Sequence, residues 1–331
     1  MKPKKTFNYA RFGYIFSIPF VIAWLIFSLY PICYTIFIGF TDLQGAGAST
    51  AHVLWGDIFK NFKSILDNNT FKTAFGNTFL LWGCNFVPQL GLALLIAAWF
   101  TDNRNKIKGQ GLFKVLFYMP NIITAATIAI LFSAFFGYPK GPVNDLLMML
   151  GIIDEPYYFL QQKFWARAVI IFIQTWMWYG YTSIVLISGV LGISPEIFEA
   201  AEVDGANSFK KFWLITIPNI KSILLFTLVT SLIGGLQMFD IPYLFLGGKP
   251  DNSTLTTSLF IYNQAFGPKA MYNRAAAASV LMFFIICILS AIIFFMLRDK
   301  DEVEMRKIIR EQERKYKQKL KEEKMLQKGG M

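Results

Sequence analysis

Long apolar runs separated by short polar segments dominate the chain. Six of them, at 14–40, 78–100, 115–138, 168–191, 223–246 and 275–297, reach the roughly 20 residues of helix that cross a hydrocarbon layer. Backbone groups in lipid must be satisfied inside the segment or inside a closed barrel, and unbroken runs of this length fit helices, not alternating barrel strands. The pattern predicts an all-α membrane protein, a bundle of six transmembrane helices. It has an amino-terminal segment at 1–13, a membrane domain at 14–297 and a charged helical tail at 298–331. Within the fifth run Asp240 cuts the apolar stretch short.

The connections carry their own signals. Pro19 and Pro31 in the first run imply bending, whether structural or as part of a path lining, and Tyr30 stands beside Pro31. The segment 41–76 begins polar and rich in small residues, then 59–66 and 71–75 read as short interfacial helices. A short basic loop follows at 101–111. In the loop 139–167, Gly141-Pro142 reads as a turn, and Tyr157, Tyr158 and Trp165 suit an aromatic belt. The residues Gly247-Gly248-Lys249-Pro250 form a tight turn that leads into an outer segment rich in Thr, Ser and aromatics. The tail alternates sign at helical spacing, as in Glu302 to Arg306 and Glu313 to Lys317, and reads either as a solvated helix or as a lipid or regulatory contact.

Composition agrees with a membrane setting: 55% of residues are hydrophobic and 16% charged. Lys and Arg then set the orientation. With the amino terminus cytoplasmic, 23 of the 32 basic residues fall on that side, most of them in the loop 104–114 and the tail. Both termini are therefore expected inside the cell. The net charge of +11 suits a membrane surface more than a nucleic-acid partner. The first run is longer than the apolar core of a signal peptide, which favours a retained span. Cys33, Cys84 and Cys287 lack paired spacing, and His52 is the sole histidine. Neither a metal cluster nor a histidine-based hydrolase triad can be built from them.

The most informative polar interruption lies at 194–218. Ser194-Pro195-Glu196 is a helix start with a cap, a proline at the first position and an acid at the positive end of the dipole. The helix should run to Asp204, where Gly205 permits a sharp turn. A second short helix, capped by Asn207 or Ser208, places Phe209, Phe212 and Trp213 at i, i+3 and i+4, and Pro218 restricts the return to the membrane. Two short angled helices with apolar groups fit either a knob that enters a partner's cleft or a segment resting on lipid.

The spacing Glu199-Ala200-Ala201, then Asp204-Gly205, then Ile215-Thr216-Ile217-Pro218 resembles the EAA loop of permease subunits in binding-protein-dependent ABC importers. Ile217 stands where Leu is usual. Tyr30-Pro31, Asn77-Thr78, Phe117-Tyr118-Met119-Pro120, Gly247-Gly248-Lys249-Pro250 and Ser253-Thr254 are similar to the sugar-importing branch. The resemblance implies a type I fold in a bacterial cell membrane. The implied partners are a second homologous permease, two ATPase subunits that bind ATP and Mg, and an external solute-binding protein. It implies that Glu199 meets a basic group on the ATPase, that Gly205 makes the bend, and that Ala200, Ala201, Asp204, Phe209 and Pro218 belong to the same coupling surface. No Gly-x-x-x-x-Gly-Lys-Ser/Thr loop is present, so this chain is expected to be a transport subunit, not an enzyme, with no cofactor of its own.

Charged residues are nearly absent from the span centres, which disfavours proton or sodium relays. A neutral solute such as an oligosaccharide fits amides, hydroxyls and aromatic faces in a mostly apolar path. Gln174, Trp178 and Tyr181 share a face of the fourth span; interhelical bonding by Gln174 is the competing reading. In the fifth span Ser231, Gly234 and Gly235 make a small-residue patch with Gln237 just beyond it, where close helix packing is the other reading. Asn85 and Gln89 in the second span and Asn121 in the third complete the candidates. The alternative class is a stand-alone secondary transporter or membrane-embedded protein for another solute, such as glycerol phosphate or a polyol.

Overall fold

The computed structural model describes residues 10–45, 47, 50–101, 108–298, 308–316 and 318. Most of the segment 1–13, Arg104 and Lys106 of the basic loop, and the tail pairs Glu302–Arg306 and Glu313–Lys317 have members outside these residues. Four described helices are long and apolar enough to cross a membrane, and two bent pairs raise the number to six if each pair is one span. Every regular element among the described residues is helical.

α1 (Ala10–Trp24) and α2 (Tyr30–Gly39) are joined by a wide turn over Leu25–Leu29, in which the Tyr30 N–H reaches the Leu25 carbonyl. Pro31 explains the turn. It has no N–H to give, and its ring would press on the carbonyl four residues back unless the helix widens there. α3 (Lys60–Leu66) coincides with the first expected interfacial helix. The second does not exist separately: α4 (Asn69–Phe100) absorbs 71–75 and runs for 32 residues. Its start is set by Asn68, whose side-chain oxygen accepts the N–H groups of Thr70 and Phe71 at 2.8 and 3.1 Å.

The expected third span is broken into α5 (Gln110–Ile122) and α6 (Ala125–Phe135). Pro120 weakens the end of α5, and Thr124 adopts an extended backbone with its hydroxyl accepting the Thr127 N–H at 3.3 Å, which starts a new helix. Gly141-Pro142 opens a helix, α7 (Pro142–Met149), because proline fits a first helical position. α8 (Lys163–Leu191) is the fourth span. α9 (Pro195–Val203), α10 (Ser208–Lys211) and α11 (Ile217–Asn219) form the interruption. α12 (Lys221–Leu236) corrects the fifth span, which does not continue as one helix to 246. The chain leaves helical geometry at 237–239 and winds again in a wide turn at Pro242–Leu246. The released Met238 carbonyl accepts the Thr256 hydroxyl at 2.8 Å. α13 (Thr257–Phe266) and α14 (Tyr272–Leu297) follow. Residues 308–316 of the tail are helical, with Lys315 and Glu311 paired at 3.2 Å.

The chain divides into two compact units. The first comprises the chain up to Pro88, Asn121–Met177 and Leu232–Ile288; the second comprises Gln89–Pro120, Trp178–Ser231 and the chain from Leu289. In the first unit one apolar cluster gathers Phe62, Ile65, Phe71, Leu259 and Ala277, and another gathers Leu81, Ile128, Phe132, Ile170 and Ile241. A polar clamp joins α4, α8 and the loop before α13. Arg167 donates to the Ser253 carbonyl at 2.9 Å and to the Asn77 side-chain oxygen at 2.7 Å, while the Asn77 amide donates to the Asn252 and Leu255 carbonyls. Charge-assisted bonds of this kind contribute about 2 kcal/mol. Arg167→Met, which keeps the stem and removes the donors, is expected to lower the thermal midpoint of the purified protein by an amount matching that loss. An unchanged midpoint would deny the clamp its stabilising role.

The second unit is closed by Ala93, Ala97, Phe100, Leu186, Val190 and Ile220. Its helices approach closely where glycine allows it. A side chain at Gly180 of α8 would run into the Phe117 carbonyl of α5.

Candidate functional site

The interruption between α8 and α12 lies wholly within the second unit. Pro195 occupies the first turn of α9 and Glu196 supplies the acid near its positive end, but the Ser194 side chain makes no capping bond. The start therefore rests on proline geometry and the dipole. At the other end the Gly205 N–H donates to the Glu202 carbonyl at 3.0 Å and the Ala206 N–H to the Ala201 carbonyl at 2.9 Å. With Gly205 at φ +76°, this is the paired-bond helix ending that a left-handed residue makes possible.

Asn207 caps the next helix, its side-chain oxygen accepting the Lys210 N–H at 2.8 Å. A wide turn at Phe212–Thr216 follows, closed by the Ile217 N–H on the Phe212 carbonyl. It precedes Pro218 as the earlier wide turn precedes Pro31, for the same steric reason. The stretch Ser208–Asn219 then bends by 70° into α12.

Glu199, Ala200, Asp204, Gly205 and Pro218 are exposed, and Ala201 is half-buried. Phe209 is 71% exposed and stacks obliquely on Trp213, with ring centroids 6.2 Å apart. Beneath these rings is a cavity of about 650 Å³, lined among others by Leu94, Ala98 and Trp99 of α4 and by Phe198, Phe209 and Trp213. One feature of the loop is not marked by any motif. Lys211, only 7% exposed, places its Nζ 2.5 Å from an Oε1 of Glu202. No local pattern singles it out, because the contact exists only once α9 and α10 have folded against each other.

The proposed path residues fall in both units. In the first, Asn85 donates its amide to the Leu81 carbonyl of its own helix at 2.8 Å, and its backbone carbonyl accepts the Thr175 hydroxyl at 3.3 Å. Gln174 is 7% exposed and its side-chain amide makes no hydrogen bond with any described residue. Gly235 lies under the Trp82 indole, which occupies the place of its missing side chain, so close packing claims that glycine. Gln237 is exposed in the unwound segment and Asn121 is half-buried. In the second unit, Trp178 and Tyr181 meet edge to face with centroids 6.0 Å apart, and Ser231 is half-buried. Gln89 donates to the Thr182 hydroxyl at 2.7 Å, which commits its amide to joining α4 and α8. Among the described residues no group of His, Cys, Asp and Glu could hold a metal ion.

Comparison with known proteins places this loop inside a recognised segment. The family model described as binding-protein-dependent transport system inner membrane component matches residues 89–300. The lactose transport system permease protein LacF of Rhizobium radiobacter is 33% identical over 295 residues, covering 87% of this chain and 94% of its own. The arabinooligosaccharides transport system permease protein AraP of Bacillus subtilis (strain 168) is 28% identical over 277 residues, covering 83% and 85%. A chain of a bacterial ABC transporter involved in the import of the acidic polysaccharide alginate superposes with a TM-score of 0.72 at 25% identity, covering 87% of this chain and 95% of that one. A chain from the alginate transporter in complex with a pentasaccharide-bound periplasmic protein gives 0.71.

Proposed function

The chain belongs to the family of binding-protein-dependent transport system inner membrane components, and from that membership we propose that it is a permease subunit through which an ATP-driven importer moves an oligosaccharide. The observation that carries the reading is the exposed helix Pro195–Val203 with its left-handed ending at Gly205, set within the matched segment. Such a helix is a rigid key for a partner's cleft. The relatives named for lactose and arabinooligosaccharides support a sugar as the solute, and the alginate complex supports an external binding protein that delivers it.

In this reading both termini lie in the cytoplasm, and a second permease and two ATPase subunits complete the transporter. ATP and Mg bind to those ATPase subunits. Their closure on ATP moves α9, and the bundle alternates between outward and inward openings. The solute meets amides and aromatic rings, not charges, and Gln174 is the amide best placed to accept such a role. The residue is 7% exposed and its amide is uncommitted to other groups, while neither amide atom is sealed off from the surface, so the amide is free to meet a solute hydroxyl.

Affinity purification in mild detergent tests the assembly. An ATPase and a second six-span permease should accompany the chain, whereas a stand-alone transporter would come alone and overturn the reading. In proteoliposomes holding the complex, Gln174→Leu should lower oligosaccharide uptake about fivefold, the equivalent of about one lost hydrogen bond. Uptake at the wild-type rate would remove Gln174 from the path.

A further inference from the structure

We propose that the Lys211–Glu202 ion pair is a brace that makes the coupling loop move as one body, so that displacement of α9 is passed to α12. The proposal rests on the importer reading above and assigns to it two positioning residues. The backbone joint between α9 and α10 is narrow. It turns at Gly205, where a side chain would meet nothing within 4 Å, so nothing packs on that side of the joint. A joint of that kind transmits force only if something spans it.

Lys211 spans it. Its Nζ lies 2.5 Å from Glu202 Oε1, with the lysine side chain 9% and the glutamate side chain 38% exposed. Lysine is rarely buried to this extent unless paired, and an ammonium withdrawn from water is tolerated only when its charge is met. An apolar residue of the same length would fill the site with less desolvation. The pair therefore fixes a geometry: Glu202 is the penultimate residue of α9, and Lys211 ends α10.

Beyond Lys211 the connection continues without a gap. The Lys211 carbonyl accepts the Thr216 hydroxyl at 3.4 Å, and the Thr216 carbonyl accepts the Ile220 N–H at 3.0 Å. Ile220 is buried in the cluster with Ala93, Ala97 and Val190, immediately before α12. On the other arm Phe198 packs against that same cluster. A push on α9 thus reaches the base of α12 through an ion pair, two hydrogen bonds and a buried isoleucine. Phe198 holds the amino-terminal half of α9 to that cluster; without the pair, the carboxyl-terminal end can rotate at Gly205 and much of the push is lost there.

The test uses the whole transporter in proteoliposomes and reads solute moved per ATP hydrolysed, alongside the ATPase subunit retained on purification. Lys211→Met keeps the volume and removes the charge. It should lower solute moved per ATP about tenfold, in the usual range of coupling between sites, while the complex still assembles. Lys211→Arg should restore most of the ratio. Glu202→Lys and Lys211→Glu should each lower it, and the two together should recover it, which a purely structural role for either side chain would not produce. If Lys211→Met does not fold, Glu202→Gln carries the same expectation on a half-exposed side chain. A wild-type ratio in Lys211→Met or Glu202→Gln, or a double exchange no better than its singles, overturns the brace. A wild-type chain that retains no ATPase subunit overturns the importer reading instead.

Discussion

Replacing Glu199 by Lys is expected to reduce solute uptake about a hundredfold, the effect of placing like charges across an interface, with the bundle still folded. The fold has little stake in this carboxylate. Glu199 is exposed and its carboxylate makes no ion pair or hydrogen bond with any described residue. At the middle of α9 a cation is neither favoured nor opposed by the helix dipole, whose effect is confined to the terminal turns. What is lost must then be lost at the partner. Gly205→Asp makes the same point from the backbone. Its new side chain would enter open space, so the cost within the chain is the left-handed conformation, about 1 kcal/mol for a short polar residue. A carboxylate at the bend of the key should nevertheless uncouple transport. Gly205→Asn, which adopts that conformation readily, separates the two effects: it should melt near the wild type and transport better than the Asp variant. Uptake in proteoliposomes and thermal unfolding are the measurements. Normal uptake by Glu199→Lys with the ATPase still bound would remove α9 from the interface.

The loop was readable from sequence because its determinants are local. Pro195, Gly205 and Asn207 each act within a few residues, and each takes the expected position. Ser194 was also a plausible cap but makes no such bond, since hydroxyl orientation depends on more than position. Hydropathy located the spans and missed their breaks. A run of apolar residues looks the same whether a helix continues or stops. Hence α5 and α6 read as one helix, and 237–239 read as part of the fifth span, where Asp240 alone marked a shortened apolar run. The start of α4 was hidden for the opposite reason, because Asn68 caps it from inside a polar stretch. The brace was invisible, since the contact between Lys211 and Glu202 follows from folding around Gly205. Among the path candidates, periodicity set Gln174, Trp178 and Tyr181 on one face, but it could not distinguish the uncommitted Gln174 from Asn85, whose amide bonds its own helix.

Gly180→Ala should destabilise the purified protein by about 3 kcal/mol, the upper part of the cost of overfilling a packed contact, and Gly180→Val by more. In the middle of a helix glycine costs about 1 kcal/mol relative to alanine, so its place in α8 needs a compensating contact. That contact is the backbone of α5. A side chain at 180 would collide with the Phe117 carbonyl and lie 3.0 Å from the Tyr118 nitrogen. Helices in membranes associate through such close approaches, because lipid supplies no hydrophobic drive to press them together. A flexible side chain could yield to an added methyl, but the backbone of α5 cannot move without moving the helix. The rings around the contact would move as well, since Phe117 faces Tyr179 at 6.0 Å and Phe100 at 6.0 Å. Gly234 in α12 is the control, with nothing within 4 Å of an added side chain. Gly234→Ala should be neutral or stabilising by up to about 1 kcal/mol. Thermal unfolding of the three variants decides the matter: if Gly180→Ala melts with the wild type, α5 and α8 are not held by backbone contact, and the second unit must be closed by its apolar cluster alone.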